Sequence, residues 1–414
     1  MKQYKILFLT GAFSYGGGAT AALISFIERM PFISPDSKIY VKKVLAYCRN
    51  EKINSMIVSE NGKNALLEFI NGNYDFIHWF KSADYKIFSE LLSARKKVSR
   101  NVPILTYVLQ NPTYRYGLLT PKELKYSKHI VFIDKASYNN TLLSFIPDTC
   151  KSMIYCNFRT EQDIWNMDEL GRTLNVKKDS NKIVFGRGST LNKCPKDMFE
   201  KVFDRINCDN KKFVIVGHGI RYWIEDKIKD REGKYDVDLF DSLSYEKWIE
   251  KLLSFDIFLY YLPEDAYSSL DGTLGQAMFY GIPVVYYGPD APKERFTHGY
   301  DGFVADTKDD IVKYCNMLAS DPELRQKIGE NGRKTNIEKF NINITLGDFE
   351  NVYNAMIDNN VNNQTKVPLS YLCYFYRYQI MNPFVRSTEV LRKVIGLITH
   401  GKFLELMNRI KKGY

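Results

Sequence analysis

Short apolar runs alternate with segments of helical spacing along most of this chain, and this alternation restricts the possible folds more than any other feature. The first run, at residues 4–10, ends in a glycine-rich segment, after which apolar side chains recur at helical intervals. Further apolar runs follow at residues 40–46, 76–80, 103–109 and 129–133. Strands that alternate with helices predict a parallel sheet with helices on both faces.

The alternation stops and then starts again near the middle of the chain. Residues 157–180 are largely polar, and new apolar runs lie at 182–186, 212–217, 236–240, 257–261 and 282–287. The pattern predicts two α/β domains, at residues 1–170 and 171–345, and a C-terminal helical segment at 346–414. Open α/β sheets bind ligands at the carboxyl ends of their strands, so the functional site is expected there.

The positive charge of the chain is concentrated near its C-terminal end. The formal net charge is +10, and residues 364–414 hold nine Lys or Arg against two Glu, which leaves +3 for all other residues. A nearly neutral body argues against a nucleic-acid groove, so no nucleic acid partner is expected. No run of 18 apolar residues is present, and the seven cysteines form no CxxC pair. We therefore expect reduced thiols and a cytoplasmic location.

Aromatic and basic residues share this C-terminal segment. The aromatic residues are Tyr371, Tyr374, Phe375, Tyr376 and Tyr378. Two amphipathic faces follow, with apolar positions at Leu391, Val394, Ile395, Ile398, Phe403, Leu406, Met407 and Ile410. Such segments are typical of contact with an anionic membrane surface, so a peripheral contact through residues 366–414 is expected. Packing against the first domain, or against a partner helix, is the alternative.

Two segments carry groups that suit a phosphate. Gly17 and Gly18 lie between the first predicted strand and its helix, where glycine lets the backbone approach an anion. The spacing is not GxGxxG, so no dinucleotide site is indicated. In the second half, Arg187 and Lys193 follow a predicted strand. Arg can hold two phosphate oxygens and Lys acts as a point charge, although two solvated loop cations are the alternative.

A short predicted helix at residues 273–280 offers a further place for an anion. A loop of small and polar residues precedes it, so the N–H groups of Gly272, Thr273 and Leu274 are expected to point out of the helix start. Among the histidines, His78 is interpreted as a core or cleft-wall residue rather than a catalyst. His218 follows a predicted strand and is a candidate contact for a base or phosphate.

These segments together resemble one known family. In the second half, six segments resemble, in order, motifs of the retaining glycosyltransferases of family 4, which have the GT-B fold. The segments are GRGSTLNK, FVIVGHG, LLSFDIFLYYLP, QAMFYGIPVV, HGYDGFVAD and SDPELRQKIGENGRK. In the first half, GGGAT resembles the donor-side glycine loop, and IYCNF resembles the strand that leaves the first domain. The resemblance covers roughly residues 4–355.

The resemblance implies two Rossmann-like domains that face each other across a cleft. It implies transfer of a hexose, with retention, from a nucleotide diphosphate donor to a glycan or lipid-linked acceptor in cell-surface polysaccharide or glycoconjugate synthesis. Arg187 and Lys193 would be catalytic by offsetting charge on the leaving diphosphate, with no metal or other cofactor. The implied donor contacts are Gly17, Gly18, Arg187, Lys193, His218, Gly272, Thr273, Leu274 and Gln276.

The chain departs from the family pattern at two places. The family has two glutamates eight positions apart, and this chain has Ser268 and Gln276 there. Gln276 can still accept a hydrogen bond from a ribose hydroxyl, and Asp271 is a candidate replacement for the first glutamate. Where the family often has a histidine, Gln110 and Asn111 are candidates for contact with the sugar or acceptor. Because the two glutamates are missing, a non-catalytic glycan-binding or partner subunit is an alternative function. An epimerase or phosphorylase is a further alternative, since the same fold carries these activities as well.

Overall fold

A computed structural model of the chain describes most of its length. The described residues are 2–14, 18–48, 50–59, 66–67, 70–81, 86–96, 102–110, 112, 117–155, 160–188, 193–217, 222–264, 266, 268, 271–357 and 365–381. The chain divides into two compact units. The first unit comprises Met1–Cys156 and Thr345–Tyr414, and the second comprises Asn157–Ile344.

The change of unit lies earlier than the predicted boundary at residue 170. Helix Glu161–Leu174 crosses that boundary and belongs entirely to the second unit. The carboxylate of Asp168, in this helix, accepts hydrogen bonds of 2.7 and 2.9 Å from the Arg333 guanidinium. The hydroxyl of Tyr280 donates to the Met167 carbonyl over 3.0 Å. These contacts hold the helix to the second unit.

The chain from Thr345 onward belongs to the first unit, whereas the sequence predicts a separate segment from residue 346. Aromatic packing explains the difference. The ring of Phe349 lies 4.8 Å from that of Phe26, and the ring of Tyr353 lies 4.9 Å from that of Phe76. Because these rings are buried, the part of the segment that carries them belongs to the core of the first unit.

Seven described strands form the sheet of the first unit, and all their pairings are parallel. They are β1 (Ile6–Ser14), β2 (Lys38–Ala46), β3 (Ile57–Ser59), β4 (Phe76–Phe80), β5 (Ile104–Val108), β6 (His129–Phe132) and β7 (Lys151–Met153). Their order in space is β3-β2-β1-β4-β5-β6-β7. Strands β4 and β5 are buried along their whole length, as expected for a parallel sheet covered on both faces.

The helices of the first unit cover this sheet. Those described are Gly18–Arg29, Glu51–Met56, Lys86–Arg95, Pro121–Tyr126, Lys135–Tyr138 and Leu369–Met381, with 3-10 turns at Thr141–Leu143 and Asp148–Cys150. Helix Ile342–Ile357 contains the change of unit before Thr345. The start of Pro121–Tyr126 shows why the chain turns there, since Thr120 and Glu123 form a capping box before a proline at the first helical position.

His78 is a core residue, which confirms its interpretation from the sequence. It is fully buried in β4, and its Nδ1 lies 2.8 Å from the hydroxyl of Tyr353. The rings of Phe80 and Phe26 lie 4.5 and 5.1 Å away. Burial in this aromatic environment lowers the pKa of His78 to about 3, so the imidazole is neutral in the folded protein.

Six described strands form the sheet of the second unit, again with parallel pairings only. They are β8 (Ile183–Gly188), β9 (Lys211–Val216), β10 (Asp236–Phe240), β11 (Ile257–Tyr261), β12 (Val284–Tyr287) and β13 (Phe303–Val304). Their order is β10-β9-β8-β11-β12-β13. Strands β8 to β10 therefore follow one another toward one edge of the sheet, and β11 to β13 follow one another toward the other edge. The strand order reverses between the neighbours β8 and β11. Such a switch point is where open α/β sheets bind ligands.

The helices of the second unit follow the alternation that the sequence predicts. Those described are Glu161–Leu174, Met198–Lys201, Tyr222–Lys229, Tyr245–Leu253, Gly272–Phe279, Asp290–Lys293, Lys308–Ser320 and Pro322–Lys339, with a 3-10 turn at Phe203–Arg205. Helix Gly272–Phe279 corresponds to the one predicted at 273–280. Two parallel Rossmann-like sheets with helices confirm the predicted α/β fold class.

The predicted aromatic cluster near the C-terminal end packs into the first unit. Tyr371 and Phe375, in helix Leu369–Met381, are buried, and the Tyr371 hydroxyl donates to the Leu119 carbonyl over 2.6 Å. The other three tyrosines of the cluster are half-buried against the same apolar core. This corrects the expectation that these rings face a membrane and fits the alternative of packing on the first domain. Residues 382–414, with most of the cations of that segment, lie outside the described residues.

Candidate functional site

Arg187 lies at the carboxyl end of β8, beside the switch point, and it is buried at 1% exposure. Its Nη1 donates to the Tyr261 carbonyl over 2.8 Å, and its Nη2 donates to the Lys193 carbonyl over 3.0 Å. Among the described residues, its Nε has no hydrogen-bond partner and no carboxylate pairs with the guanidinium. A buried cation without an anionic partner is costly, so an anion that reaches it is favoured.

The glycines on either side of Arg187 allow aromatic side chains to press against β8. A Cβ on Gly186 would lie 1.9 Å from Cδ2 of Phe255, and a Cβ on Gly188 would lie 2.1 Å from Cη2 of Trp248. Neither distance is possible for a real side chain, so glycine is required at both positions. The packing fixes the strand end that carries Arg187.

Lys193 and Asp271 face each other in the same region. Nζ of Lys193 lies 3.7 Å from Oδ1 of Asp271, and the two side chains are 12% and 18% exposed. Oδ2 of Asp271 accepts a 2.8 Å hydrogen bond from the Tyr260 hydroxyl and another from the Ser268 hydroxyl. The Tyr260 ring centre lies 5.6 Å from the guanidinium carbon of Arg187, a cation–π distance. We call Arg187, Lys193, Tyr260 and Asp271 the charged cluster.

The start of helix Gly272–Phe279 adjoins the charged cluster. Asp271 is the N-cap residue, but its side chain makes no capping hydrogen bond because the carboxylate is directed to Tyr260 and Lys193. Gly272 is exposed and Thr273 is half-buried, whereas the Leu274 side chain is buried in the core. The positive end of the helix dipole therefore lies next to the two predicted cations.

Comparison with known proteins identifies the kind of domain that carries this cluster. Residues 168–335, most of the second unit, match the sequence model of the family described as glycosyl transferases group 1. The second unit is a glycosyltransferase domain. No curated protein matches the chain.

Solved glycosyltransferase structures resemble both units of the chain. HepE of Anabaena, solved with UDP, has a TM-score of 0.63 at 15% identity, covering 85% of this chain and 100% of that one. A glycosyltransferase from Rickettsia africae ESF-5 gives 0.62 at 14%, covering 87% and 100%. The lipopolysaccharide outer core galactosyltransferase WaaB gives 0.62 at 16%, covering 85% and 99%. The predicted GT-B fold is thus confirmed for the chain, and the glycosyltransferase family match lies in its second unit.

Gln276 of this glycosyltransferase domain is held by a residue that the sequence did not indicate. Its carboxamide Oε1 accepts a 2.7 Å hydrogen bond from the indole Nε1 of Trp248. An indole N–H only donates, so the amide nitrogen of Gln276 must point away from Trp248. The ribose contact predicted for Gln276 uses the same oxygen as acceptor, and it would have to use the second lone pair of that oxygen, so it stays a prediction. Trp248 lies in another helix, 28 residues earlier, and no local motif marks it.

A second polar network lies at the carboxyl ends of β11 and β12 of the glycosyltransferase domain. The Tyr261 hydroxyl donates to Asp197 over 2.9 Å, and the Lys308 ammonium donates to the other carboxylate oxygen of Asp197. The Tyr287 hydroxyl donates to Glu264. Burial alone would raise the pKa of Asp197, but the hydrogen bonds from Lys308 and Tyr261 outweigh it and lower the pKa below its usual value. Sequence motifs did not identify these residues.

The remaining predicted site residues are distributed between the two units. Gly18 begins helix Gly18–Arg29 in the first unit. Gln110 follows β5 in that unit and is half-buried, and within the described part of the chain its buried Oε1 has no hydrogen-bond partner. Gly17, Asn111 and His218 lie outside the described residues. The assignments of all these residues to donor or acceptor stay predictions.

The described residues offer neither a cluster of metal ligands nor a membrane-spanning helix. No group of three or more His, Cys, Asp or Glu side chains in the described ranges is arranged to hold a metal ion. No helix among the described residues is long and apolar enough to cross a membrane. Metal independence stays a prediction from the family resemblance.

Proposed function

We propose that this glycosyltransferase transfers a hexose, with retention, from a nucleoside diphosphate donor to a glycan or lipid-linked acceptor of the cell surface. The donor diphosphate would bind the second unit at Arg187, Lys193 and the start of helix Gly272–Phe279. The structure of HepE with UDP-glucose supports a nucleotide sugar as the donor. The lipopolysaccharide acceptor pathway implied by the name of WaaB supports a surface glycan.

The observation that carries the proposal is the buried guanidinium of Arg187. It is 1% exposed at the switch point of the sheet, and no described carboxylate neutralises it. A diphosphate would supply the missing charge and an acceptor for the Nε hydrogen. Lys193, bonded through its carbonyl to the same guanidinium, would bring a second cation to the same ligand.

In the proposed reaction the chain acts mainly by positioning and charge. The acceptor hydroxyl attacks the anomeric carbon on the face of the leaving group, and its proton passes to the departing diphosphate. The bond from the anomeric carbon to phosphate oxygen breaks as the new glycosidic bond forms. Arg187, Lys193 and the helix dipole stabilise the negative charge that develops on the diphosphate. We propose no metal and no protein general base for this step.

The acceptor would be bound by the first unit, where Gln110 carries a buried carboxamide oxygen without a partner among the described residues. Asn111 is the second proposed contact. Since helix Leu369–Met381 packs its aromatic rings inward, a membrane contact would depend on the cations of residues 382–414. We propose a cytoplasmic enzyme that binds the inner membrane face through this segment.

Nucleotide binding tests the donor site directly. The purified full chain is heated with UDP, GDP, ADP, CMP or dTDP, and a ligand at about 100 times its dissociation constant should add roughly 2.7 kcal/mol to the free energy of unfolding. The gain should disappear in Arg187→Ala and remain in Lys212→Ala. Lys212 is a suitable control because it lies at the amino end of β9 and pairs with Asp238 over 2.8 Å. No gain with any nucleotide, or an equal gain in Arg187→Ala, would contradict the proposed site.

Vesicle binding tests the membrane contact separately. The full chain should sediment with vesicles that contain anionic lipid and not with neutral ones, and salt should weaken the binding. Charge reversal at Arg409, Lys411 and Lys412 should abolish it and leave nucleotide binding intact. Equal sedimentation of wild type and variant would show that this segment does not provide the contact.

A further inference from the structure

We propose that the carboxylate of Asp271 is an internal anion, which pairs with Lys193 in the ligand-free enzyme and competes there with the donor diphosphate. The inference rests on the proposed function because it concerns the same cations. Asp271 then sets how tightly the enzyme holds the nucleotide, and this role is separate from any contact with the sugar.

Asp271 occupies the N-cap position of a helix, but its carboxylate does not point where an N-cap carboxylate usually points. An aspartate at this position normally accepts a hydrogen bond from the second or third N–H of the helix. Asp321, the N-cap of helix Pro322–Lys339, does so, accepting from the Leu324 N–H over 2.9 Å. Asp271 makes no such bond. The Asp271 carboxylate therefore accepts no hydrogen bond from the N–H groups of its own helix and is held by other groups.

Those other groups fix the charge of Asp271 beside the predicted phosphate site. Tyr260 and Ser268 both donate hydroxyl hydrogens to Oδ2, which leaves Oδ1 directed at Nζ of Lys193. The ring of the same Tyr260 lies against the Arg187 guanidinium. One tyrosine thus holds the carboxylate with its hydroxyl and contacts a predicted cation with its ring.

Competition follows from the sign and position of these charges. Lys193 and Asp271 are mostly buried, at 12% and 18% exposure, so solvent screens their interaction weakly. A diphosphate that reaches Lys193 meets a carboxylate 3.7 Å from that ammonium and must displace or repel it. The ion pair therefore lowers nucleotide affinity, which also favours release of the nucleoside diphosphate product.

Removal of the charge with little change of shape tests this role. Asp271→Asn keeps an oxygen that can accept from Tyr260, and it should bind the nucleoside diphosphate about ten-fold more tightly at low salt by titration calorimetry. Asp238→Asn is the matched control. It removes an equal charge from Asp238 of β10, which pairs with Lys212, and it should leave the affinity for the nucleoside diphosphate unchanged. Unchanged or weaker binding by Asp271→Asn would overturn the inference.

A double variant tests whether the gain depends on Lys193. Without Lys193 the ammonium for which Asp271 competes is gone, and only direct repulsion between the carboxylate and the diphosphate remains. In a Lys193→Ala background, Asp271→Asn should therefore tighten binding less than it does in wild type, and an equal or larger gain would overturn the competition. Asp271→Ser, which removes the carboxylate and keeps a hydroxyl, should reproduce the gain if Asp271→Asn proves poorly folded.

The same titrations separate failure of the inference from failure of the proposed function. Suppose that wild type binds a nucleotide, that Arg187→Ala does not, and that Asp271→Asn binds no more tightly than wild type. This result would support the proposed donor site and overturn the inference about Asp271. Absence of binding by wild type and by Asp271→Asn to all of UDP, GDP, ADP, CMP and dTDP would overturn both. Binding by Asp271→Asn alone would support both.

Discussion

The indole N–H of Trp248 donates a 2.7 Å hydrogen bond to the carboxamide oxygen of Gln276 and so joins helix Tyr245–Leu253 to helix Gly272–Phe279. The same indole lies against the Cα of Gly188, one residue after Arg187. Trp248 therefore links the strand end that carries Arg187 to the helix whose start adjoins the charged cluster. Its loss should affect stability and the geometry of the site together.

Substitution of Trp248 should destabilise the second unit much more than substitution of an exposed tryptophan. Trp248→Phe removes the hydrogen bond to Gln276 and part of a buried ring, so the free energy of unfolding should fall by about 2 kcal/mol. Trp165→Phe is the control, since Trp165 is 54% exposed in the same unit and should change stability by less than about 0.5 kcal/mol. Urea unfolding measures both, and equal effects would contradict a special role for Trp248.

The packing of Gly188 predicts a second stability effect. In Gly188→Ala the new Cβ would meet Trp248 at 2.1 Å, so β8 or the indole must shift, and the cost should be about 3 kcal/mol or more. Gly347→Ala is the contrasting variant, because its Cβ position in helix Ile342–Ile357 has no neighbour within 4 Å apart from the adjoining residues and backbone of that helix. Alanine should stabilise that helix by about 0.5 kcal/mol. Thermal unfolding of both variants checks the prediction, which fails if Gly188→Ala melts like wild type.

Buried histidines predict acid sensitivity of the first unit. Burial lowers the pKa of His78 to about 3 and that of His129 to about 4, so both are neutral when folded. The unfolded chain binds these protons near the ordinary value of about 6.5, and therefore stability falls as pH drops from 6.5 toward 4. Each histidine should contribute a slope approaching 1.4 kcal/mol per pH unit.

A variant isolates the contribution of His78 to this slope. His78→Phe fits the surrounding aromatic rings but carries no titratable group, and the Tyr353 hydroxyl loses its partner at all pH values. Its free energy of unfolding should therefore depend less steeply on pH than that of wild type, whatever its absolute value. Urea unfolding at pH values from 4 to 7 measures the slope, and an unchanged slope would exclude His78 as its source.

The sequence predicts the sheets well and the contacts within the site poorly. Buried parallel strands appear as apolar runs, so the longer strands of both sheets correspond to predicted runs, whereas β3, β7 and β13 have only two or three residues and are too short to form a pattern. The sequence singles out the two cations because Arg187 lies at the carboxyl end of β8 and Lys193 lies a few residues after it. Their role at a phosphate stays a prediction. The orientation of Asp271 and the partner of Gln276 were not found, because they depend on packing between elements distant in sequence.

Replacement of Arg187 by lysine separates charge from geometry at the predicted donor site. The guanidinium donates from two nitrogens to the carbonyls of Tyr261 and Lys193 at once, and a single ammonium cannot reproduce this fork. Arg187→Lys keeps the positive charge but releases the backbone of Lys193, so kcat/KM for the nucleotide sugar should fall about 100-fold. Lys193→Arg should cost less, because the carbonyl contact to Arg187 comes from the backbone and survives. If both variants lost activity equally, charge or size at each position alone would account for the effect, and the proposed positioning of Lys193 by Arg187 would be wrong.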